Sequence, residues 1–290
     1  MRVAFIGLGV MGYPMAGHLQ KKGGHEVTVY NRSAEKAARW VAEHGGRSAP
    51  TPREAASGCD FVMMCVGNDD DVRSVALGPD GAVAGMEPGA VLVDHTTASA
   101  VVARELHAAC SAAGVGFVDA PVSGGQAGAV NGLLGIMCGG DAEVFERARP
   151  VLETYARSCV RIGECGAGQL TKMMNQIAIA GVLQGLAEAI AFGKRAGLDI
   201  EKVISVISKG AAQSWQMENR WKAMDAMSFD GFGFAVEWMR KDLAICLDEA
   251  NRNGARLPST ALIDQFYAQV QRRGGSRWDT CSLMQLLGTD

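Results

Sequence analysis

The sequence lacks any block of like charge and carries little net charge. Its 28 Lys and Arg residues nearly balance 31 Asp and Glu residues, which leaves a formal net charge of -3 over 290 residues. A nucleic-acid-binding surface is usually marked by clustered basic residues, and a disordered tail by a run of one charge. Neither pattern is present, and there is no internal repeat. We therefore expect no nucleic acid partner.

The cysteine and histidine spacings of a metal site are also missing. The 8 cysteines are scattered, none forms a CxxC pair, and the 5 histidines do not cluster. Structural zinc sites use closely spaced pairs of such ligands. Scattered cysteines are typical of reduced, mostly buried thiols in a cytosolic protein. We predict no metal centre.

Two further absences concern membranes. The chain opens on the strand-like RVAFI, without the charged region, apolar region and cleavage site of a signal peptide. The least polar long stretch, residues 173–192, is interrupted by four polar residues, which disfavours a membrane span. They are Asn175, Gln176, Gln184 and Glu188. The sequence therefore predicts a cytoplasmic protein that does not enter a membrane.

What the sequence does contain is a change of pattern near residue 163. Before it, short runs rich in Val, Ile and Phe alternate with helical segments, which is typical of a parallel sheet with helices on both faces. The strand candidates are VAFI, EVTVY, DFVMMCV, AVLVD, VGFVDAPV and LGIMCG. After it, a proline-free apolar helix from Gly168 to about Gly197 begins an entirely helical half. We predict a doubly wound α/β domain over residues 1–163 and an all-helical domain over residues 164–290.

Three glycines follow the first strand and precede a helix and a second strand. This βαβ arrangement of GxGxxG is typical of a Rossmann dinucleotide-binding domain. Gly7 permits the tight turn, Gly9 lets a pyrophosphate approach the backbone, and Gly12 lets the helix pack on the strand. The predicted cofactor-binding residues of this loop are Gly7, Leu8, Gly9, Val10, Met11 and Gly12.

The second strand ends without the carboxylate that usually holds the ribose hydroxyls of NAD. It ends instead on Tyr30, followed by Asn31, Arg32 and Ser33. An arginine can pair with a 2′-phosphate, and the amide and hydroxyl can hydrogen-bond to it, whereas a carboxylate would repel it. The sequence favours NADP as cofactor, with NAD as the alternative.

The segment GLGVMGYPMAGHL, together with four later blocks in the same order, resembles the β-hydroxyacid dehydrogenases. The resemblance covers essentially the whole chain. Within it, DAPVSGG at residues 119–125 is similar to the family's substrate-binding segment. This likeness implies that Ser123, Gly124 and Gly125 hold a substrate carboxylate, for which a turn of small residues offers close approach and backbone donors.

The block GAGQLTKMMNQ, residues 166–176, is similar to the catalytic segment of that family. On a helix Lys172, Asn175 and Gln176 share one face. The resemblance implies that Lys172 is the general acid when an aldehyde is reduced and the base or proton relay when the alcohol is oxidised. It also implies that Asn175 orients the substrate, and it makes Gln176 a substrate-binding candidate.

Two other blocks resemble cofactor-facing segments of the family, and one further segment is expected to border the cofactor. DHTTAS, residues 94–99, implies a hydroxyl near the nicotinamide ribose, from Thr96 or alternatively Thr97. CVGNDDDV, residues 65–72, departs from the usual text but is expected to border the cofactor through Val66. The KDL block implies that Lys241 reaches the cofactor.

The sequence thus predicts an NADP-preferring oxidoreductase that interconverts a small carboxylate-bearing aldehyde, such as a semialdehyde or glyoxylate, with its hydroxy acid. One alternative is an NAD-dependent 3-hydroxyisobutyrate or serine-type dehydrogenase. An alternative of another class is a catalytically inactive dinucleotide-binding scaffold or sensor. The apolar helix indicates a homodimer or homotetramer, because its faces need cover.

Overall fold

A computed structural model describes residues 1–288 of the chain. These residues form two compact units, of which the first is Met1–Lys172 and the second begins at Met173. The first unit is built on a nine-stranded sheet. Its strands are β1 Arg2–Ile6, β2 Glu26–Tyr30, β3 Arg47–Ser48, β4 Phe61–Met64, β5 Val91–Asp94, β6 Gly116–Asp119, β7 Val122–Ser123, β8 Leu134–Gly140 and β9 Ala156–Gly163.

The strand order is that of a doubly wound sheet. Six strands lie in the order β3-β2-β1-β4-β5-β6, and every neighbouring pair among them is parallel. Beyond β6 the pattern changes, because β8 pairs antiparallel with β6 and β7 and parallel with β9. The predicted Rossmann architecture is therefore confirmed, with an antiparallel extension at one side.

Helices cover both faces of this sheet. They are α1 Gly12–Lys21, α2 Ala34–His44, α3 Pro52–Ala56, α4 Asp69–Leu77, α5 Ala100–Ala112, α6 Gly125–Asn131 and α7 Ala142–Leu152. Alternate residues of β1 belong to different cores: Val3 and Phe5 lie in one buried cluster, Ala4 and Ile6 in the other. A strand that is buried on both faces is what a parallel sheet between two helix layers requires.

Two strands of the sheet have no counterpart among the strand candidates. β3 has only two residues, both exposed. β9 was not recognised because its apolar side chains Val160 and Ile162 are exposed and alternate with polar residues, so the segment lacks the continuous apolar run of a buried strand. The candidate VGFVDAPV is in fact two strands, β6 and β7, separated at Ala120 and Pro121.

The second unit is helical, as predicted. The long helix α8, Ala167–Arg195, is followed by α9 Ile200–Ile207, α10 Trp215–Asp225, α11 Val236–Asn253 and α12 Pro258–Arg272, and then by two short 3-10 helices. A single core cluster contains Leu183, Leu243 and Tyr267. By length and composition alone α8 could cross a membrane, but the core helix of a globular unit passes the same test.

The helix α8 belongs to both units, because the division at Lys172 falls inside it. The sequence-based division at residue 163 lies at the end of β9, before the helix begins. The difference has a physical reason: Asp119 of the sheet accepts hydrogen bonds from the Gly166 and Gln169 N–H groups, so the start of α8 packs with the first unit.

Candidate functional site

The glycine loop between β1 and α1 has the geometry that a bound pyrophosphate requires. Gly7 has a φ of +95° and donates its N–H to the Tyr30 carbonyl at 2.8 Å. A Cβ on Gly7 would overlap the Cys65 carbonyl, and a Cβ on Gly12 would overlap the Gly7 carbonyl, whereas the space beside Gly9 is open. Leu8 is buried, and Val10 is exposed at the helix start. The loop therefore fits a dinucleotide.

Of the residues that follow β2, Asn31 contacts the glycine loop and Arg32 is exposed to solvent. Asn31 accepts a hydrogen bond from the Leu8 N–H at 2.9 Å and donates to the Ser33 carbonyl at 3.2 Å, so its side chain braces the glycine loop. The Arg32 side chain is 92% exposed and lies 3.9 Å from an Asp71 oxygen. An exposed pair at that distance is weak. Arg32 is thus available to a phosphate, and Ser33 lies exposed at the start of α2.

Thr96 and Val66 are brought together at the ends of β5 and β4. The Val66 N–H donates to Thr96 Oγ1 at 3.0 Å. The Thr96 carbonyl accepts from Gln169 Nε2 at 2.7 Å, and Gln169 Oε1 accepts from the Ala98 N–H at 3.1 Å. The neighbouring Thr97 is only partly buried. Gln169 is buried, and the sequence did not single it out. Its two hydrogen bonds attach the loop that contains Thr96 and Thr97 to helix α8.

Asp119 caps the start of α8 from the end of β6. One carboxylate oxygen accepts from the Gly166 N–H at 2.7 Å, and the other accepts from the Gln169 N–H at 2.9 Å. Carboxylates are stabilised at helix N-termini, where amide N–H groups lack helical partners. Gly139 and Gly168 make room, since a Cβ on either would overlap Asp119. The cap fixes the helix that carries Lys172.

A second buried carboxylate supports the Thr96 loop. Asp94 Oδ1 accepts from the Thr96 N–H at 2.9 Å, while Oδ2 is buried with no hydrogen-bond partner among the described residues. Burial raises the Asp94 pKa to about 7, against the opposing effect of its bonds to Thr96. Burial likewise raises the pKa of Asp119.

The neighbouring His95 is buried in its neutral form. Burial lowers its pKa to about 4. Its Nδ1 lies 2.7 Å from the Ala120 carbonyl, which can only accept, so Nδ1 carries the proton and Nε2 accepts from the Tyr155 hydroxyl at 2.8 Å. These bonds tie the loop after β5 to β6 and to the segment before β9.

The predicted substrate turn lies at the end of β7. Ser123 is half-buried, and Gly124 and Gly125 are exposed at the start of α6. Gly124 has a φ of +131° and Gly125 a φ of +61°, backbone conformations that favour glycine. A side chain there would both strain the turn and cover its backbone. The turn thus presents an open, glycine-formed surface.

The predicted catalytic residues lie on α8, where Lys172 is buried and only 8% exposed. Helical spacing places Lys172, Asn175 and Gln176 on one face. The Asn175 amide donates to Gln176 Oε1 at 2.8 Å, and Gln176 Nε2 donates to Asp242 Oδ2 at 2.6 Å.

Asp242 also contacts Lys241, the remaining predicted cofactor-binding residue. Lys241 Nζ lies 3.1 Å from Asp242 Oδ1, and the Asp242 side chain is only 1% exposed. The second unit thus joins Asn175, Gln176 and Lys241 through one carboxylate. The helix pattern did not indicate this role, because an aspartate after a lysine on a helix is usually a surface residue. Within residues 1–288, no group of three or more His, Cys, Asp or Glu side chains is arranged to hold a metal ion.

A glycine loop after the first strand of a doubly wound sheet is typical of a protein that binds NAD or NADP. Comparisons with known families give the same result. A model described as the NAD binding domain of 6-phosphogluconate dehydrogenase matches residues 2–163. A second, described as NAD-binding of NADP-dependent 3-hydroxyisobutyrate dehydrogenase, matches residues 166–287. The chain belongs to the β-hydroxyacid dehydrogenase family, and the predicted NAD(P) cofactor is confirmed.

Individual relatives match over almost the whole chain. An uncharacterized oxidoreductase of Shewanella frigidimarina is 62% identical over 99% of this chain and 98% of its own length. The 3-hydroxyisobutyrate dehydrogenase of Pseudomonas aeruginosa is 36% identical over 92% of this chain and 91% of its own. The Mycobacterium tuberculosis 3-hydroxyisobutyrate dehydrogenase, solved with L-serine, has a TM-score of 0.88 and 30% identity, covering 99% of both chains. The family and these relatives show that the chain is an NAD(P)-dependent oxidoreductase, which argues against the scaffold alternative.

Proposed function

We propose that this enzyme is an NADP-preferring reductase of small carboxylate-bearing aldehydes, such as a semialdehyde or glyoxylate, which it converts to hydroxy acids. The observation that supports this most strongly is the buried Lys172, placed on the same face of α8 as Asn175. A buried lysine beside an amide that can orient a carbonyl oxygen is placed to transfer a proton to that oxygen.

In the proposed reaction, Lys172 Nζ donates its proton to the aldehyde oxygen, and Asn175 orients that oxygen by hydrogen bonding. The bound nicotinamide cofactor supplies the hydride. Gln176 keeps the Asn175 amide in place, since it accepts from Asn175 and is itself held by Asp242. Asp119 fixes the start of α8 and thereby the position of Lys172. In the oxidative direction Lys172 takes the proton back.

The substrate's carboxylate would be held by the turn at the end of β7. Ser123 supplies a hydroxyl donor, and Gly124 and Gly125 let the anion approach the backbone at the start of α6. Hydroxyisobutyrate and serine are small molecules of this chemical kind. Hydroxyisobutyrate occurs in the name of a similar protein, and L-serine is bound in the solved structure of another. We therefore infer a short substrate with one carboxylate near the reacting carbon.

The preference for NADP rests on Arg32. Its exposed, weakly paired guanidinium lies just after β2, where a carboxylate would otherwise hold the ribose of NAD. Ser33 provides a hydroxyl beside it. Asn31 contributes indirectly, because its side chain braces the glycine loop. Val66, Thr96 and Lys241 are the further cofactor-binding residues that we propose.

The experiment is the decay of nicotinamide absorbance with NADPH or NADH over a panel of glyoxylate and small semialdehydes. We expect turnover of at least one aldehyde, with a lower KM for NADPH. Arg32→Ala should raise the KM for NADPH about 10-fold or more, through loss of a charged contact, and leave that for NADH unchanged. Arg47→Ala, at another exposed arginine of the same unit, is the matched control.

Two outcomes would decide between the alternatives. Equal use of both cofactors by the unmodified enzyme, with no effect of Arg32→Ala, would overturn the NADP preference. Oxidation of 3-hydroxyisobutyrate or L-serine with NAD, without reduction of any aldehyde by NADPH, would establish the NAD-dependent dehydrogenase instead.

We further propose that the enzyme is a cytoplasmic homodimer or homotetramer. Several large apolar side chains on the helices of the second unit are exposed, and packing against another copy of the chain would remove them from water. They are Met174, Val182, Phe192 and Val206. Light scattering at micromolar concentration should give a multiple of the chain mass, and a monomer would contradict the proposal.

A further inference from the structure

Cys138 and Cys159 face each other across the strand pair β8–β9. Their sulfur atoms are 3.6 Å apart and within hydrogen-bonding reach. Ile136 lies opposite Cys159 in the register, and Cys138 lies opposite Arg161, so the cysteines are diagonal neighbours on one face of the sheet. We propose that Cys138 and Cys159 form an oxidative modification site, at which a hydroperoxide converts the pair into an intrachain disulfide.

The two thiols differ in a way that assigns their order of reaction. Cys138 is fully buried, whereas Cys159 is partly exposed and is therefore the sulfur that a small peroxide can reach. The hydrogen bond with Cys159, together with burial, raises the pKa of the Cys138 thiol. Cys138 thus stays protonated in the resting protein, and the first step takes place at Cys159.

The reaction proceeds in two balanced steps. The Cys159 thiolate attacks one oxygen of the hydroperoxide, the O–O bond breaks, and Cys159 becomes a sulfenic acid while the peroxide is reduced to an alcohol or to water. The Cys138 sulfur then attacks the Cys159 sulfur, the S–O bond breaks, and the departing hydroxide takes up the Cys138 proton as water. The two thiols together lose two protons and two electrons, and the hydroperoxide accepts them.

Bond formation requires the two sulfurs to close from 3.6 Å to the disulfide bond length of about 2.05 Å. The β8–β9 register shifts between Cys138 and Gly139, so the ladder is already irregular next to the pair. Three other cysteines are directed to backbone carbonyls instead. Those are Cys59 with Ala55, Cys165 with Ala103, and Cys246 with Met173. The pair is therefore distinct from these three thiols in its surroundings.

The test is peptide mapping of the full-length protein after hydrogen peroxide treatment and alkylation of the remaining thiols. After trypsin digestion we expect a cross-linked peptide pair that joins residues 105–147 to residues 158–161. Its mass should be two hydrogen atoms below the sum of the two reduced peptides. Residues 105–147 contain both Cys110 and Cys138. Cys110→Ser should keep the cross-link, and Cys138→Ser should abolish it. Dithiothreitol should reverse it.

The Cys138→Ser variant provides a second measurement. With its partner absent, Cys159 should accumulate as a sulfenic acid that dimedone traps, whereas the unmodified protein should give little dimedone adduct. A cross-link that persists in Cys138→Ser would overturn the proposal. Two results in the unmodified protein would also overturn it. Cys159 is over-oxidised without forming a cross-link, or Cys159 stays reduced while other cysteines react. The map of the unmodified protein decides the question even if a variant does not fold.

Discussion

Replacing Asp119 by asparagine tests how the start of α8 is held. The carboxylate accepts hydrogen bonds from the Gly166 and Gln169 amides at 2.7 and 2.9 Å. An asparagine can accept only one of them, and its NH2 group then faces the other N–H donor. A hydrogen bond to a charged group contributes about 1.5–3 kcal/mol. Because the neutral side chain avoids burying a charge, we expect a net loss of about 2 kcal/mol in the free energy of unfolding.

That loss corresponds to a fall in Tm of roughly 4–8 °C for a unit of this size. The turnover number should fall further than stability alone explains, by about 10-fold or more, because Lys172 follows the capped turn and small displacements of a catalytic group are costly. Urea denaturation and NADPH-dependent turnover measure the two effects. The control is Asp141→Asn, at an exposed residue before α7 that makes no side-chain cap. An Asp119→Asn enzyme with unchanged stability and turnover would refute the reasoning.

Three further predictions concern the glycine loop and two buried carboxylates. Gly12→Ala should weaken NADPH binding and destabilise the first unit by about 1–3 kcal/mol, because its Cβ overlaps the Gly7 carbonyl. Gly181→Ala is the control, since the space beside Gly181 is open and the substitution should cost no stability. Equal effects of the two variants in cofactor titrations would contradict this prediction. Asp94 has a raised pKa of about 7, so its contribution to stability is complete below about 3.8 and declines as the pH rises to about 7. Urea denaturation at several pH values should therefore show the stability of the wild type falling relative to Asp94→Asn across that window, and a constant difference would count against the assignment. Asp242→Ala leaves the Gln176 amide buried without its acceptor, so it should lower the free energy of unfolding by about 1–3 kcal/mol and reduce turnover. Asp248→Ala, at an exposed residue of the same helix, should change neither. A stable and active Asp242→Ala enzyme would exclude the proposed role of the Gln176–Asp242 hydrogen bond.

The sequence predicted the parts of the fold that depend on local pattern. Gly7 and Gly12 were identified from their spacing, and the structure shows why no larger residue fits at either position. The buried strands and the long helix α8 followed from apolar runs. β9 was missed because its large apolar side chains Val160 and Ile162 are exposed, while the face packed against the core includes only the small Ala156 and Cys159 as apolar residues.

The parts that could not be predicted depend on contacts between residues distant in the chain. Asp119 was recognised only as part of a substrate-binding block, yet its side chain caps a helix that begins 48 residues later. Asp242 looked like a surface neighbour of Lys241, since nothing in the helix pattern reveals that it meets Gln176, 66 residues away. Asn31 was expected to face a phosphate, but its hydrogen bond to Leu8 can be read only from the folded chain.

The proposed role of Lys172 is the central claim, and single-turnover reduction of an accepted aldehyde tests it most directly. Lys172→Met keeps the length of the side chain and removes its proton donor, so the rate should fall about 100-fold to 10,000-fold while NADPH still binds. Lys202→Met, at an exposed lysine of α9, should react at the wild-type rate. A Lys172→Met enzyme that binds NADPH and reduces the aldehyde at the wild-type rate would contradict the account.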